Sequence, residues 1–329
     1  MIKQFKNNSL ILSVAVLMTF MGCNQENKTE EKAMESDVLL KQWTGPYGGI
    51  PAFDQMKVED VKSAMIRGME LNVKEIEAIA DNKEAPTFEN TIVEMERSGE
   101  ALDRGFTYYG IFSSNMSSPE FREVQRELAP MFSEFRSKIT QNEKLFKRVK
   151  ALYDSSQVHP HDDDQQRVLE LVYKSFEMNG AELDSIKKKR YAAINKELSG
   201  LYTKFSNNVL HDEENYITYL SKDQLGGLAE GFVKSAAKIA TDKGQEGKYA
   251  ITNTRSSMDP FLTYSTERDI RKIVWTNYYS RGDNGDEYDN KELISEILKL
   301  RRERVELLGY KNYAEWRLQD RMAKTPENA

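Results

Sequence analysis

The fold is decided by residues 87–109, TFENTIVEMERSGEALDRGFTYY. Apolar or small positions of this stretch recur at alternating steps of four and three; they are Phe88, Ile92, Met95, Gly99, Leu102, Phe106 and Tyr109. This spacing places them on one face of an α-helix, while most of the charged residues fall on other faces. The stretch therefore predicts a single amphipathic helix whose apolar stripe packs in a core.

The start and the middle of this helix carry further signals. Thr87 is suited to cap the helix start, because its hydroxyl oxygen can accept a hydrogen bond from a free backbone N–H. Pro86 disfavours a helical conformation at Ala85 and marks the boundary. Gly99 lies inside the stripe, where the missing side chain would let a neighbouring helix come close at a propensity cost of roughly 1 kcal/mol. No catalytic constellation appears in the stretch, so we interpret it as core structure.

Similar patterns extend along most of the chain after residue 39. Apolar repeats at threes and fours predict further helices, among them residues 58–79, 121–139, 183–205, 266–278 and 293–309. The first of these is expected to form a hairpin with the 87–109 helix. Pro130 is expected to bend or split the second, because it removes one backbone donor.

Several helix ends and a small β element are also predicted. Thr266 with Asp269 resembles a capping box, Gly309 is placed as a left-handed C-cap, and Asn312 starts a last helix that continues to Met322. Residues rich in β-branched and aromatic side chains predict a small sheet or ribbon from the segments 216–220, 248–252 and 260–264. The predicted fold class is mainly α with a small β element near 216–264.

Composition narrows the function classes. The chain has 329 residues, a net charge of −6 and a single cysteine. Its length allows two domains or one large one. The acidic balance without a basic stripe argues against nucleic-acid binding. A single cysteine excludes an internal disulfide and a Cys-rich zinc cluster.

The N-terminus predicts an export signal. Lys3 and Lys6 precede an apolar run over residues 10–21 that is too short to span a bilayer comfortably. Residues 20–23, FMGC, resemble a bacterial lipobox in which Cys23 is lipidated. We therefore expect a lipoprotein signal peptide over residues 1–22, then a flexible polar tether over residues 23–41. The expected location is the bacterial cell envelope, with the lipid anchor as the only membrane contact.

The histidines do not form a recognisable metal site. His159 and His161 stand beside three aspartates at 162–164, but side chains two residues apart do not share a helix face and no third histidine is near. We interpret this segment as a solvated acidic loop. His211 is not part of a zinc-binding helix either, because Asn215 stands where the second histidine would be. Arg281-Gly282-Asp283 is interpreted as a polar connector.

A family resemblance emerges from seven short strings taken together. In chain order they are PAF at 51–53, PTFENTI at 86–92, LFKRV at 145–149, FEMNGAEL at 176–183, FSNNVL at 205–210, LGGL at 225–228 and LLGYKNYAE at 307–315. Their order and spacing over residues 43–329 resemble the zinc oligopeptidases that include thimet oligopeptidase, oligopeptidase A and peptidyl-dipeptidase Dcp (peptidase family M3). The extended 220–237 segment and the lipoprotein start are most similar to the peptidyl-dipeptidase branch.

The resemblance implies an activity whose reacting groups lie elsewhere. In this family a His-Glu-x-x-His helix supplies two zinc ligands and the general base, and a glutamate on a following helix supplies the third ligand. Zinc lowers the pKa of its bound water to roughly 7. That unit follows the segment matched by residues 322–324, so the resemblance assigns no catalytic and no zinc-binding residue to this chain. The chain alone is predicted to be inactive, and the complete protein is expected to be a monomer that cleaves short peptides.

The predicted organisation leaves two functions open. After the signal and tether, residues 42–153 form an N-terminal helical block, and residues 154–329 form a second block with the β element, leading into a missing catalytic half of a neurolysin-like fold. The chain is then an N-terminal fragment of a peptidyl-dipeptidase, which releases dipeptides from the C-terminus of oligopeptides. Alternatively, it is a non-catalytic helical envelope lipoprotein that binds peptides or proteins. The first function predicts exposed apolar stripes on helices built to pack against more polypeptide.

Overall fold

A computed structural model describes residues 37–45, 49–159 and 161–329. The chain divides into two compact units, the first ending at Glu182 and the second starting at Leu183. The predicted signal peptide and Cys23 lie outside the described residues. Within the described ranges, every helix is too short or too polar to cross a membrane.

Helices make up nearly all of the first unit. In chain order its elements are α1 (Val58–Ala80), a π-helical turn (Phe88–Val93), α2 (Glu94–Arg97), α3 (Glu100–Ser114), α4 (Pro119–Thr140), α5 (Glu143–Ser156) and α6 (Asp163–Met178). One apolar core lies among α1, α3 and α4, and a second joins the C-terminal half of α1 to the π-helical turn, α5 and α6. Within this unit, α6 packs on α5. The block boundary predicted at 153/154 stays a prediction.

The second unit combines helices with a β-hairpin. Its elements are α7 (Ser185–Asn215), β1 (Ile217–Leu220), a 3₁₀ turn (Lys222–Gln224), α8 (Glu230–Asp242), β2 (Tyr249–Thr252), α9 (Arg255–Tyr264), α10 (Arg268–Tyr279), α11 (Lys291–Leu307), α12 (Tyr313–Leu318) and a 3₁₀ turn (Pro326–Asn328). The strands pair antiparallel, with Ile217 opposite Thr252 and Leu220 opposite Tyr249. The mainly helical fold with a small β element is confirmed.

The stretch at 87–109 begins as predicted but is not one helix. Thr87 and Asn90 form a capping box, in which the Asn90 N–H donates to Thr87 Oγ1 over 3.0 Å and the Thr87 N–H donates to Asn90 Oδ1 over 2.8 Å. The helix then breaks at Gly99, whose φ of 88° is left-handed. The Gly99 N–H donates to Glu75 Oε2 of α1 over 2.7 Å, which fixes the break against α1. Periodicity alone misses this break, because Gly99 keeps its place in the stripe.

The predicted helical hairpin forms between α1 and α3. A Cβ atom on Gly68 would lie 3.0 Å from Leu102 Cδ1, so the two helices approach closely at this glycine. The side chain of Tyr108 on α3 is fully buried, and its hydroxyl accepts a hydrogen bond from the Ala52 N–H over 2.8 Å. The ring of Trp43 meets the ring of Tyr108 edge-on. The segment before α1 is thereby held on the hairpin.

A buried arginine joins two distant parts of the first unit. Arg148 of α5 is 6% exposed. Its guanidinium donates to the carbonyl oxygens of Asn82 (2.9 Å) and Glu84 (3.0 Å) and to Asn90 Oδ1 (2.7 Å). The linker after α1 and the capping box at Thr87 are therefore tied to α5 by one side chain.

Some local predictions need correction. Residues 260–264 are not a strand but the end of α9, because Phe261 is packed into the core that α9 shares with the hairpin. Pro130 does not split α4, which continues to Thr140. Thr266 does not cap α10, whose N-cap residue is Glu267 and has no side-chain cap.

Other boundaries differ by a few residues. Leu39 and Leu40, at the end of the predicted tether, are buried in the first core, so packed structure includes the last residues of that segment. The last α-helix is capped by Asn312 as predicted, but it ends at Leu318 instead of continuing to Met322. Gly309 adopts the predicted left-handed conformation, with a φ of 87°.

The Gly99 break gives a test with a matched control. Replacing Gly99 with Ala should lower the free energy of unfolding by roughly 1–2 kcal/mol, because a side chain strains the left-handed backbone. It would also press on Asn72, whose Nδ2 would lie 3.0 Å from the new Cβ. Gly110→Ala in α3 meets no atom within 4 Å and has no positive φ, so it should be neutral or stabilise by up to roughly 1 kcal/mol. Urea unfolding followed by circular dichroism measures both; equal effects of the two substitutions would contradict the role of Gly99.

Candidate functional site

The acidic segment around His161 serves the structure of the first unit. Asp162 caps α6, because its carboxylate accepts from the Gln165 N–H over 2.9 Å. The His161 ring lies 5.3 Å from the Phe88 ring. Across the described parts of the chain, no group of three or more His, Cys, Asp or Glu side chains could hold a metal ion. A zinc ion therefore has no ligand set among these residues.

His211 lies in α7 and is also held by its neighbours. Its ring stacks on Tyr288 with centroids 3.4 Å apart and planes 8° from parallel. Its backbone carbonyl accepts a hydrogen bond from Asn215 Nδ2 over 2.8 Å. Asn215, which stands where a zinc-binding helix would have its second histidine, therefore bonds to the last turn of α7. This geometry gives His211 a packing role at the end of α7.

The residue next to it, Asp212, is the centre of a buried polar cluster. Asp212 is fully buried. Its Oδ2 accepts from the Gly282 N–H over 2.7 Å and from Asn284 Nδ2 over 2.8 Å. Gly282 has a φ of 72°, and a Cβ there would lie 2.5 Å from Asn290 Nδ2, so glycine is required at this turn. The carboxylate thus pins the connector before α11 to the end of α7.

Three asparagines extend this cluster. Asn253, after β2, donates from Nδ2 to the carbonyl oxygens of Asp212 and Asn277, each over 3.1 Å. Asn208 of α7 donates to Asn290 Oδ1 over 2.9 Å. The hairpin, α10 and the start of α11 are thereby all tied to α7. Local sequence did not single out Asp212 or these amides, because a polar residue gives the same local pattern whether it is buried or solvated.

The connector that contains Arg281-Gly282-Asp283 is occupied by internal contacts. The Arg281 side chain is 18% exposed and forms an ion pair with Glu213 over 2.5 Å. Its guanidinium also lies 3.8 Å from the centroid of the Tyr278 ring. The first residue of this tripeptide is therefore engaged within the second unit, in keeping with a polar connector.

Two helices of the second unit expose large apolar side chains. On α10, Trp275 and Tyr279 are 53% and 64% exposed, and their rings lie 5.2 Å apart. On α11, Ile294 and Leu298 are 43% and 57% exposed, one turn apart. Other sides of both helices are buried in cores. We call these four residues the apolar faces of α10 and α11. Exposed apolar surface of this kind is what the fragment hypothesis expects.

Taken together, the second unit offers a scaffold and a contact surface. Its internal polar groups fix the connectors. Binding of a further polypeptide to its apolar faces would be favoured by about 25 cal/mol for each Å² of apolar surface removed from water. No described side-chain group supplies the ligand set that metal-assisted hydrolysis needs.

Comparison with known proteins identifies relatives. Residues 62–188 match the family described as the N-terminal domain of neurolysin and thimet oligopeptidase, and residues 261–329 match peptidase family M3. Dipeptidyl carboxypeptidase of Escherichia coli (strain K12) is 29% identical over 292 residues, which cover 88% of this chain and 43% of that protein. Oligopeptidase A of Haemophilus influenzae is 30% identical over 284 residues, which cover 85% of this chain and 41% of that protein. The chain thus spans less than half the length of these relatives.

The buried carboxylate can be tested by mutation. Asp212→Ala should lower the free energy of unfolding by at least roughly 2 kcal/mol, because the buried N–H of Gly282 and the side-chain amide of Asn284 lose their acceptor. Asp212→Asn should cost less, since one oxygen can still accept. Asp242→Ala removes only an exposed ion pair with Lys238 and should change stability by less than about 0.5 kcal/mol. Urea unfolding measures all three, and similar values for Asp212→Ala and Asp242→Ala would refute the anchoring role.

The apolar faces predict self-association of the isolated chain. The double substitution Trp275→Glu and Leu298→Glu should lower the binding of an apolar fluorescent dye and shift sedimentation toward monomer, because both side chains are more than half exposed. Ile186→Glu is the control, since Ile186 is 80% exposed outside these two faces. An equal response to the control would show that the faces of α10 and α11 have no special role.

Proposed function

Because the chain corresponds to the N-terminal portion of peptidase family M3 enzymes, we propose that it forms the non-catalytic part of a zinc metallopeptidase. The complete protein would cleave short peptides and release dipeptides from their C-termini. The proposed release of dipeptides is supported by the similarity to dipeptidyl carboxypeptidase, whose match covers 88% of this chain.

The single observation that carries the proposal is the place of the apolar faces. Trp275, Tyr279, Ile294 and Leu298 all lie within residues 261–329, the segment that matches peptidase family M3. In this proposal the faces are covered by the additional polypeptide that the relatives possess. Covering four half-exposed side chains would contribute on the order of several kcal/mol to holding the two parts together.

The proposal assigns different roles to the zinc ion and to the residues of this chain. The zinc ion would supply a Lewis acid and an activated water, held by residues outside this chain. The chain's own residues would build one side of the peptide-binding region, with Asp212 and Arg148 keeping the helices in place. Short peptides as substrates, a monomeric complete protein and attachment to the cell envelope through Cys23 belong to the same proposal.

The test extends the chain with the codons that follow Ala329 in its gene. The extended protein should carry a His-Glu-x-x-His motif, bind one zinc ion and release Ala-Ala from acetyl-Ala-Ala-Ala. A chelator should abolish the reaction, and added zinc should restore it. Chromatography of the products with mass detection identifies the released dipeptide.

The controls are the 329-residue chain alone and the extended protein with both motif histidines replaced by alanine. Both should be inactive. Chelator-sensitive hydrolysis by the 329-residue chain alone would overturn the proposal. A following reading frame without the motif would overturn it as well and would favour a non-catalytic binding module.

A further inference from the structure

Two arginines near the end of α11 lie among aromatic rings of the second unit. The guanidinium carbon of Arg301 is 5.2 Å from the centroid of the Tyr202 ring and 4.8 Å from that of Tyr313. The guanidinium carbon of Arg304 is 4.7 Å from the Trp316 ring and 5.8 Å from the same Tyr313 ring. The two positive groups therefore flank one tyrosine, with α7 and α12 providing the other rings.

The charges of these two arginines are not balanced by carboxylates of the described residues. The adjacent glutamates are engaged elsewhere: Glu303 accepts two hydrogen bonds from Arg190, over 2.5 and 2.6 Å, and Glu306 accepts from Arg302 over 2.7 Å. The Arg190 guanidinium also lowers the pKa of Glu303, which keeps that carboxylate ionised and paired. The C-terminal end of α11 offers only about half a negative charge. Two guanidinium groups therefore retain net positive charge.

Most of the donors on these groups are also unused. A guanidinium has five N–H donors. Arg301 Nε donates to the Tyr202 hydroxyl over 2.7 Å, and Arg304 Nη1 donates to Asn195 Oδ1 over 3.1 Å. Arg304 Nε is buried and has no hydrogen-bond partner. An acceptor from outside would therefore meet the terminal N–H groups of these side chains and not this atom.

The rings and the free donors occupy different parts of each guanidinium. Aromatic rings contact its flat faces, whereas the N–H groups point outward from its edge in the plane. Contact with the Tyr313 and Trp316 rings can therefore hold the guanidiniums and leave N–H groups at their edges for other partners. A carboxylate fits such an edge, because its two oxygens can accept two parallel N–H bonds.

We propose that Arg301 and Arg304, with Tyr202, Tyr313 and Trp316, form a binding site for a peptide carboxylate. The positive charge and the unused donors point to an anion. The choice of a peptide carboxylate over other anions rests on the proposed function. The carboxylate can come from the C-terminus of a peptide or from an acidic side chain, and the two sources share the same chemistry.

The first experiment titrates the full 329-residue chain with defined probes in a calorimeter. Acetyl-Ala-Ala-Ala with a free C-terminus tests the terminal carboxylate, and acetyl-Ala-Glu-Ala-amide tests the side-chain carboxylate. Acetyl-Ala-Ala-Ala-amide has neither and should bind at least tenfold more weakly than the better of the other two. Raising the salt concentration should weaken the binding of the charged probes.

The second experiment compares variants on α11. Arg304→Gln and Arg301→Gln should each weaken binding of the charged probe at least tenfold. Arg302→Gln is the matched control, because Arg302 is on the same helix but is exposed and paired with Glu306; it should bind within twofold of the unaltered chain. Far-UV circular dichroism confirms that each variant is folded.

Several results would overturn the proposal. Equal binding of the uncharged amide and both carboxylate probes would do so, even if the variants failed to fold. An equal loss of probe affinity in Arg302→Gln and Arg304→Gln would also overturn it. So would binding of inorganic phosphate by a chain that binds neither carboxylate probe. This test is separate from the hydrolysis test, since it measures binding by a chain expected to be inactive, and either can fail without the other.

Discussion

The second unit depends on a fully buried carboxylate. An ionised Asp212 without partners would cost several kcal/mol in desolvation, so the structure around it must supply donors. Those donors are the backbone N–H of Gly282 and the side chain of Asn284. Because both belong to the connector that leads into α11, satisfying the carboxylate also fixes where α11 begins. The packing of α11 on α7 and the surfaces that α11 presents follow from that placement.

The first unit also contains a buried charged group that needs hydrogen-bond partners, here a positive one. Arg148 is nearly completely buried. Its two terminal nitrogens donate to two backbone carbonyls and to Asn90, while its Nε has no hydrogen-bond partner. Asn90 also closes the capping box with Thr87, so one amide serves both a helix start and a tertiary contact. Removing one partner of such a buried charge is strongly destabilising, by about 3–5 kcal/mol. Arg148 therefore adds a polar tie between the segments that carry the family strings at 86–92 and 145–149, which also share an apolar core.

In the proposed function, these anchors would hold the helices of the supporting part in place. Buried charged and amide groups of the described residues position the helices. The second unit also exposes two kinds of surface. One is apolar, on α10 and α11, and suits further polypeptide. The other is the positive aromatic cluster of Arg301 and Arg304, which suits an anion. In the proposed function, a scaffold of this kind would orient the groups that carry out the chemistry.

The sequence by itself determined the features that depend on neighbours a few residues away. Helix periodicity, the Thr87 and Asn312 caps and the left-handed Gly309 follow from local spacing and local hydrogen bonds, and all are present. The seven strings also led to the peptidase family without any geometry. Tertiary structure alone decided that the chain breaks at Gly99, that residues 260–264 join a helix, and that Asp212 is the anchor instead of its neighbour His211. The reason is that each outcome depends on partners far along the chain, such as Glu75 for Gly99 and Gly282 for Asp212, which no local pattern encodes.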